Sequence, residues 1–153
     1  MANEPTSSGI LDRSAGFMMG LTSRKMSHLF TNRLKPYAIT PEQWMVLYCV
    51  QEREGMIQTE IAARSGKDKP TTGRILDALE AKGFVTKRTG PTDRRSYHVF
   101  ITETGRELVR QTAPIERQAV KDATSVLSEA EYEQLLALLR RIGDHIDQIT
   151  ANE

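Results

Sequence analysis

The chain has 153 residues, of which 39% are hydrophobic and 27% charged, and this composition is typical of a folded globular protein rather than a disordered one. Its 21 basic and 20 acidic side chains give a net charge of +1, so the overall charge does not indicate a polyanionic partner. The longest apolar run, Trp44 to Val50, is far too short to span a membrane, and we expect a cytoplasmic protein. A single cysteine, Cys49, excludes an internal disulfide and a multi-cysteine metal cluster within one chain.

The first third of the chain predicts a flexible tail followed by two helices. Residues 1–9 contain Pro, Ser and Gly, whereas apolar side chains recur every three or four positions over residues 10–37, which predicts a long helix. A second helix is predicted to begin at Thr40, because Thr40 and Gln43 have the spacing of a capping box. We expect this helix to continue to about Glu52 and to bury its apolar run.

The middle of the chain predicts a helix-turn-helix followed by a β-hairpin. A short helix over residues 58–64 ends at a Ser-Gly turn, and the next helix has Asp68 as its N-cap and Gly83 as a left-handed C-terminal cap. Residues 84–88 and 96–101 are rich in β-branched and aromatic residues and flank a turn-forming segment. This order predicts a winged helix-turn-helix, a mainly α fold with a two-stranded β-wing.

The last part of the chain predicts two further helices, one of which has a wide apolar face. The first begins at Thr102 and contains Pro114, which predicts a kink or a break, and the second begins with a capping box at Ser128. The apolar face of the final helix is wider than one small domain can cover, and it consists of Leu135, Leu138, Leu139, Ile142, Ile146 and Ile149. Packing across a two-fold axis buries such a face, which predicts a homodimer; an intramolecular helix bundle is the alternative.

Charge is distributed unevenly along the chain. Residues 64–95 carry nine basic and four acidic side chains, whereas residues 128–153 carry two basic and six acidic ones. A helix fits the major groove of DNA and its N-terminal residues reach the base edges, so a basic helix-turn-helix indicates a surface for double-stranded DNA. In the helix capped by Asp68, burial of the apolar face is expected to leave the side chains of Thr71 and Thr72 pointing outward. The candidate DNA-binding residues on this helix are Lys69, Thr71, Thr72 and Arg74.

The predicted hairpin adds a second candidate contact with DNA. Its basic side chains, which are long enough to enter the neighbouring minor groove, are Lys87, Arg88, Arg94 and Arg95. For the hairpin tip alone, a solvated charged turn is the alternative. Its position directly after a helix-turn-helix favours contact with nucleic acid.

Six short motifs are spread over most of the chain. They are Thr40-Pro41-Glu42-Gln43-Trp44, Thr59-Glu60-Ile61-Ala62, the stretch from Lys67 to Glu80, Gly83-Phe84-Val85, Asp93-Arg94-Arg95 and Ile101-Thr102-Glu103-Thr104-Gly105. Together these motifs resemble those of the MarR family of winged helix-turn-helix transcriptional regulators, over about residues 11–149. The distance from the Asp-x-Arg motif to the Ile-Thr-x-x-Gly motif makes this resemblance more specific than that of a generic helix-turn-helix.

The resemblance implies a homodimer that binds pseudo-palindromic operators. It places a helical dimerisation region at residues 10–37 and 106–153, and a DNA-binding domain at residues 38–105. Two copies related by a two-fold axis then reach half-sites about 34 Å apart.

The resemblance also implies roles for individual residues. Arg95 is the arginine that enters the minor groove, with Asp93 as its orienting partner through a charge-assisted pair. Thr71, Thr72 and Arg74 become readers of the major groove, with Lys69 on a phosphate. Gly73 stands where many relatives carry a side chain, so one base or phosphate contact is missing here.

Family members commonly bind small aromatic anions in a crevice between the winged helix and the dimer helices. The residues predicted to line such a site are Met18, Met26, Trp44 and Tyr48, with Arg24 and His28 as anion partners. Methionine and aromatic residues at helical spacing are also typical of an ordinary core, which is the alternative interpretation.

The remaining functional classes find less support. Cys49 lies in the apolar run of the second helix, which favours a buried inert thiol over a redox sensor. His28, His98 and His145 are scattered, so we expect neither a metal site nor another cofactor. The sequence lacks a Gly-rich phosphate loop, a nucleophile elbow and a His-Glu-x-x-His motif, so we do not expect an enzyme.

The sequence therefore predicts a transcriptional repressor that a small ligand releases from DNA. The alternatives are a winged-helix protein-interaction module, a nonspecific architectural DNA-binding protein, and a thiol redox sensor that acts through Cys49.

Overall fold

The computed structural model describes residues 9–90 and 96–153. In this part of the chain the helices are α1 (Ala15–Arg33), α2 (Pro41–Glu52), α3 (Gln58–Ser65), α4 (Lys69–Ala81), α5 (Glu103–Ala123) and α6 (Glu129–Ala151). The strands are β1 (Met56–Ile57), β2 (Val85–Thr89) and β3 (Tyr97–Ile101). The protein has the mainly helical winged fold that the sequence predicts.

Side-chain caps fix where several helices begin. At the start of α2, the Gln43 amide donates to Thr40 Oγ1 at 3.2 Å and the Thr40 amide donates to Gln43 Oε1 at 3.3 Å, which confirms the predicted capping box. Ser128 and Glu131 form the same reciprocal pair at the start of α6, as predicted. The first helix is shorter than predicted, because a 3-10 turn precedes Ser14, which caps α1.

The core of the winged helix forms around the apolar face of α2. Trp44 is 3% exposed, and its ring packs edge-on against Phe30 of α1 with the ring centroids 5.3 Å apart. The indole Nε1 donates to Thr112 Oγ1 of α5 at 2.8 Å, and the Thr112 hydroxyl donates to the Leu108 carbonyl at 2.7 Å. These contacts tie three helices together and leave the buried indole N–H satisfied. Pro114 lies within α5 and does not end it, so the predicted break is wrong, whereas the alternative of a kink stays a prediction.

The strands form one antiparallel sheet in the order β1-β3-β2. The β2–β3 hairpin pairs Val85 with Ile101 at its base and Thr89 with Tyr97 at its outer end, which confirms the predicted wing strands to within one residue. The sheet also contains β1, a two-residue strand that the sequence analysis does not predict and that pairs Met56 with Val99.

The structure consists of two compact units, and their boundary lies within α5. The larger unit ends at Ala119 and the smaller one is Val120–Glu153. Within the smaller unit no residue of α6 is buried. Six leucine and isoleucine side chains along this helix are between 39% and 50% exposed, namely Leu135, Leu138, Leu139, Ile142, Ile146 and Ile149. Among the described residues, no helix is both long and apolar enough to cross a membrane.

Candidate nucleic-acid interface

The N-terminus of α4 is fixed by a double cap. Asp68 Oδ1 accepts a hydrogen bond from the Thr71 amide at 2.7 Å, and Asp68 Oδ2 accepts one from Thr71 Oγ1 at 3.0 Å. Arg74 Nη2 in turn donates to Thr71 Oγ1 at 3.3 Å. This chain of three side chains confirms the predicted N-cap and holds the exposed Arg74 guanidinium beside the end of the helix.

The cap is expected to make the stability of the protein depend on pH. The hydrogen bonds from Thr71 lower the pKa of Asp68 in the folded protein. A lowered folded-state pKa contributes stability above the unfolded-state pKa of about 4, and this contribution is lost as the pH falls through the folded-state pKa. Asp68→Asn keeps a capping oxygen that does not titrate in this range. We therefore expect the free energy of unfolding to fall more steeply below pH of about 4 in the wild type than in Asp68→Asn.

Urea unfolding at a series of pH values between about 2 and 6 measures this difference. Asp144→Asn on α6 removes one acidic charge without touching the cap, and it serves as the control. Parallel pH profiles for the wild type and Asp68→Asn contradict a titrating cap at Asp68.

The prediction that Thr72 faces outward is wrong. Thr72 is 0% exposed, and its hydroxyl donates to the Asp68 carbonyl at 2.8 Å. Residues three and four positions apart lie on one face of a helix, so Thr72 shares the buried face with Ile75 and Leu76. A side chain in this position cannot contact DNA. The exposed Lys69 and Arg74 and the half-buried Thr71 are the predicted α4 residues that remain accessible.

Lys87 joins the wing to α4. Its ammonium group forms an ion pair with Asp77 and lies 3.9 Å from Glu80 Oε1, and its side chain is only 18% exposed. Lys87 is predicted from the sequence as a DNA contact, but its ammonium group faces the α4 carboxylates of Asp77 and Glu80. These contacts connect strand β2 to α4, and the predicted contact of Lys87 with DNA stays a prediction.

The rest of the predicted wing contacts are described only in part. Arg88 is exposed, and its guanidinium carbon lies 4.6 Å from the centroid of the Phe100 ring, which is a cation–π contact. Asp93, Arg94 and Arg95 lie outside the described residues. Their predicted roles in the minor groove stay predictions.

The Ile-Thr-x-x-Gly motif locks the base of the wing. Thr102 Oγ1 donates to the Gly83 carbonyl at 2.7 Å and accepts from the Gly105 amide at 3.0 Å. The Thr102 amide donates to the Phe84 carbonyl at 3.0 Å. The start of α5 is thereby attached to the turn between α4 and β2, and the motif holds the base of the wing in place.

Gln58 is a polar residue at this surface that is not among the residues predicted from the sequence. It is exposed at the start of α3, and its Nε2 donates to the Lys69 carbonyl in the first turn of α4 at 2.9 Å. The sequence signal that could have indicated it is Gly73, whose missing side chain leaves room for a neighbour.

The sequence matches the MarR family model over residues 39–97. Transcriptional repressor MprA of Escherichia coli (strain K12) is 30% identical over 134 residues, which cover 84% of this chain and 76% of that protein. The chain belongs to the MarR family. It is a transcriptional regulator, and the family and its matched relative are regulators rather than enzymes.

Solved structures of two regulators in complex with DNA share this fold. The structure of the transcriptional repressor CouR bound to a 23-mer DNA duplex is 28% identical with a TM-score of 0.81, and the match covers 92% of this chain and 99% of CouR. The S. aureus MepR–DNA complex is 25% identical with a TM-score of 0.78, and the match covers 86% of this chain and 98% of MepR.

The residues predicted for ligand binding in this MarR-family protein have different environments. Trp44 is buried and stacked on Tyr48, with ring centroids 5.1 Å apart, and its indole nitrogen is already bonded to Thr112. Trp44 is therefore part of the core. The half-buried side chains are Met26 and Tyr48, and the exposed ones are Met18, Arg24 and His28 on α1. Ligand binding by these residues stays a prediction.

Cys49 is buried, and burial raises the pKa of its thiol. A thiol with a raised pKa is mostly protonated near neutral pH, and the protonated form is a poor nucleophile. The environment of Cys49 therefore favours the inert thiol over the redox sensor.

Proposed function

We propose that this protein is a homodimeric repressor that binds pseudo-palindromic double-stranded DNA and that a small ligand releases. The observation that carries the proposal is the surface of α4, where exposed Lys69 and Arg74 flank a capped helix N-terminus. The two exposed cations can bind phosphates, and side chains at the start of a helix that lies in the major groove reach base edges. The DNA complexes of CouR and MepR, at 28% and 25% identity, support DNA binding by this chain.

Each predicted contact has a specific role in this proposal. In the major groove, Thr71 and Arg74 read base edges and Lys69 binds a phosphate. The wing places Arg88, Arg94 and Arg95 at the neighbouring minor groove, with Asp93 orienting Arg95. Lys87 contributes indirectly, because its ion pair with Asp77 sets the spacing between helix and wing.

The apolar face of α6 supports a homodimer. An exposed stripe of six leucine and isoleucine side chains on a 23-residue helix is costly in water, and a second copy can cover it with the same stripe. We assign residues 10–37 and 106–153 to dimerisation and residues 38–105 to DNA binding.

Repression and release are the further parts of the proposal. MprA and CouR are both named transcriptional repressors, which supports the same direction of regulation here. The proposed ligand is a small aromatic anion held by Met18, Met26, Tyr48, Arg24 and His28. It releases DNA only if it binds the conformation unable to bind DNA more tightly than the competent one.

Selection from a random duplex library at near-physiological salt tests the DNA-binding proposal. We expect the wild type to enrich an inverted repeat, and the variant Arg94→Ala, Arg95→Ala to bind that repeat at least roughly 10-fold more weakly because the minor-groove contacts are gone. The variant Arg140→Ala, Arg141→Ala removes the same charge from α6 and is expected to retain the motif.

The motif recovered by the wild type then serves as the probe for a screen of aromatic carboxylates. A folded wild-type dimer that enriches no motif contradicts sequence-specific regulation and favours an architectural or protein-interaction role. Equal loss of binding in both double variants contradicts a specific role for the wing, because it indicates a general dependence on positive charge.

A further inference from the structure

Gln58 lies across the first turns of α4. The residue belongs to α3, and its carboxamide Nε2 reaches the Lys69 carbonyl at 2.9 Å. Despite this hydrogen bond the side chain remains exposed. The carboxamide is therefore held in place at the same end of α4 that carries the proposed DNA contacts.

Gly73 is the position over which this carboxamide lies. A Cβ atom added at Gly73 would lie 2.9 Å from Gln58 Nε2, which is shorter than a van der Waals contact. It would lie 3.5 Å from Gln58 Cδ, which is an ordinary contact. Lys69, Gly73 and Asp77 follow one another at intervals of four residues, so they form one stripe along α4. The space that a side chain at position 73 would occupy on this stripe is taken by a residue of the preceding helix.

The stripe lines an open groove of about 370 Å³ between α3, α4 and the wing. Polar groups from all three elements face it, among them Gln58, Lys69, Lys87 and Tyr97. The Gln58 carboxamide is thus positioned between α4 and the wing.

We propose that Gln58 is a DNA-reading residue that takes the place of the missing side chain at position 73; this inference rests on the proposed sequence-specific DNA binding. A glutamine carboxamide has two N–H donors and one oxygen acceptor. The bond to Lys69 uses one donor, and it leaves one N–H and Oε1. A donor and an acceptor side by side match N7 and N6 of adenine at the major-groove edge.

The selection experiment gives a direct test when it is repeated with Gln58→Ala. A base-reading residue discriminates between bases at one position, and its loss relaxes the preference there without changing the rest of the motif. We expect discrimination to fall about 10-fold at one base pair in each half-site. Binding to duplexes that already carry another base at that pair is expected to stay within about 2-fold of the wild type.

Two variants separate reading from support of the helix. Gln51→Ala removes an exposed glutamine at the end of α2 and is expected to leave the motif unchanged. Gly73→Ala places a Cβ against Nε2 and is expected to relax the same base pair as Gln58→Ala. In the double variant Gln58→Ala, Gly73→Ala, the effects are not additive, because one contact can be lost only once.

Three results overturn the inference. Uniform weakening on all duplexes by Gln58→Ala indicates a residue that only positions α4, and an unchanged motif indicates no role in reading. Additive effects of the two substitutions at different base pairs contradict the shared contact. These three results all require a wild type that enriches a motif. If the wild type enriches none, the proposed function fails, and the inference fails with it.

Discussion

Substitution of Gly105 by alanine is expected to lower the free energy of unfolding by about 3 kcal/mol. Gly105 is buried in the first turn of α5, and a Cβ atom added there would clash with the Phe84 carbonyl oxygen and lie 2.8 Å from Ile101 Cγ1. The carbonyl belongs to the backbone and itself accepts the Thr102 amide, so it cannot rotate away as a side chain can. Relief of the clash requires separation of α5 from the base of the wing.

Urea unfolding at one fixed protein concentration measures this loss, because an oligomer's stability depends on concentration. For a chain of this length the same change corresponds to a fall in Tm of about 10 °C. Gly143→Ala on α6 is the control: nothing lies within 4 Å of a Cβ at Gly143, and alanine is the better helix former. Equal stability of Gly105→Ala and the wild type contradicts the close approach.

Ile142→Asp is expected to weaken the proposed dimer by about 1000-fold, or about 4 kcal/mol. Ile142 lies within the stripe of α6, and it is 42% exposed in the single chain. In a two-fold interface the substitution places two carboxylates on the covered face, where each loses its hydration without gaining a partner. DNA binding is expected to fall with dimerisation, because one protomer reaches only one half-site.

Sedimentation equilibrium over a range of protein concentrations measures the dimer constant. Ala137→Asp introduces the same charge into the same helix, two residues from Leu135 and Leu139 and therefore on the other side. This control is expected to remain dimeric. A dimer that survives Ile142→Asp contradicts the assignment of the α6 stripe to the interface.

Local signals in the sequence were sufficient to predict most of the fold. The caps at Thr40, Asp68 and Ser128 depend on residues three positions apart, and each is present in the structure. The strand β1 was missed because two residues carry no periodicity and are defined only by their pairing with β3. The predicted outward position of Thr72 is wrong because Thr72 lies three residues before Ile75 and four before Leu76, and this spacing outweighs the polarity of its side chain.

The candidate site was predicted less completely, because its partners are distant in sequence. Lys87 was recognised as basic, but its pairing with Asp77 depends on how β2 packs on α4. Gln58 has no motif of its own, and its position over Gly73 exists only once α3 and α4 have met. Patterns in one sequence identify charged segments and the buried faces of helices. The tertiary structure decides which polar side chains contact one another.

The ion pair between Lys87 and Asp77 sets the smallest segment that can be exchanged between this regulator and a relative. If α4 alone is exchanged with a relative, Asp77 is transferred but its partner Lys87 on β2 is not. The hydrogen bond from Gln58 extends the same dependence to α3. A chimera designed for another operator preference therefore has to exchange residues 58–101 as one block. Residues of α3, α4 and the wing strands together set the distance between helix and wing.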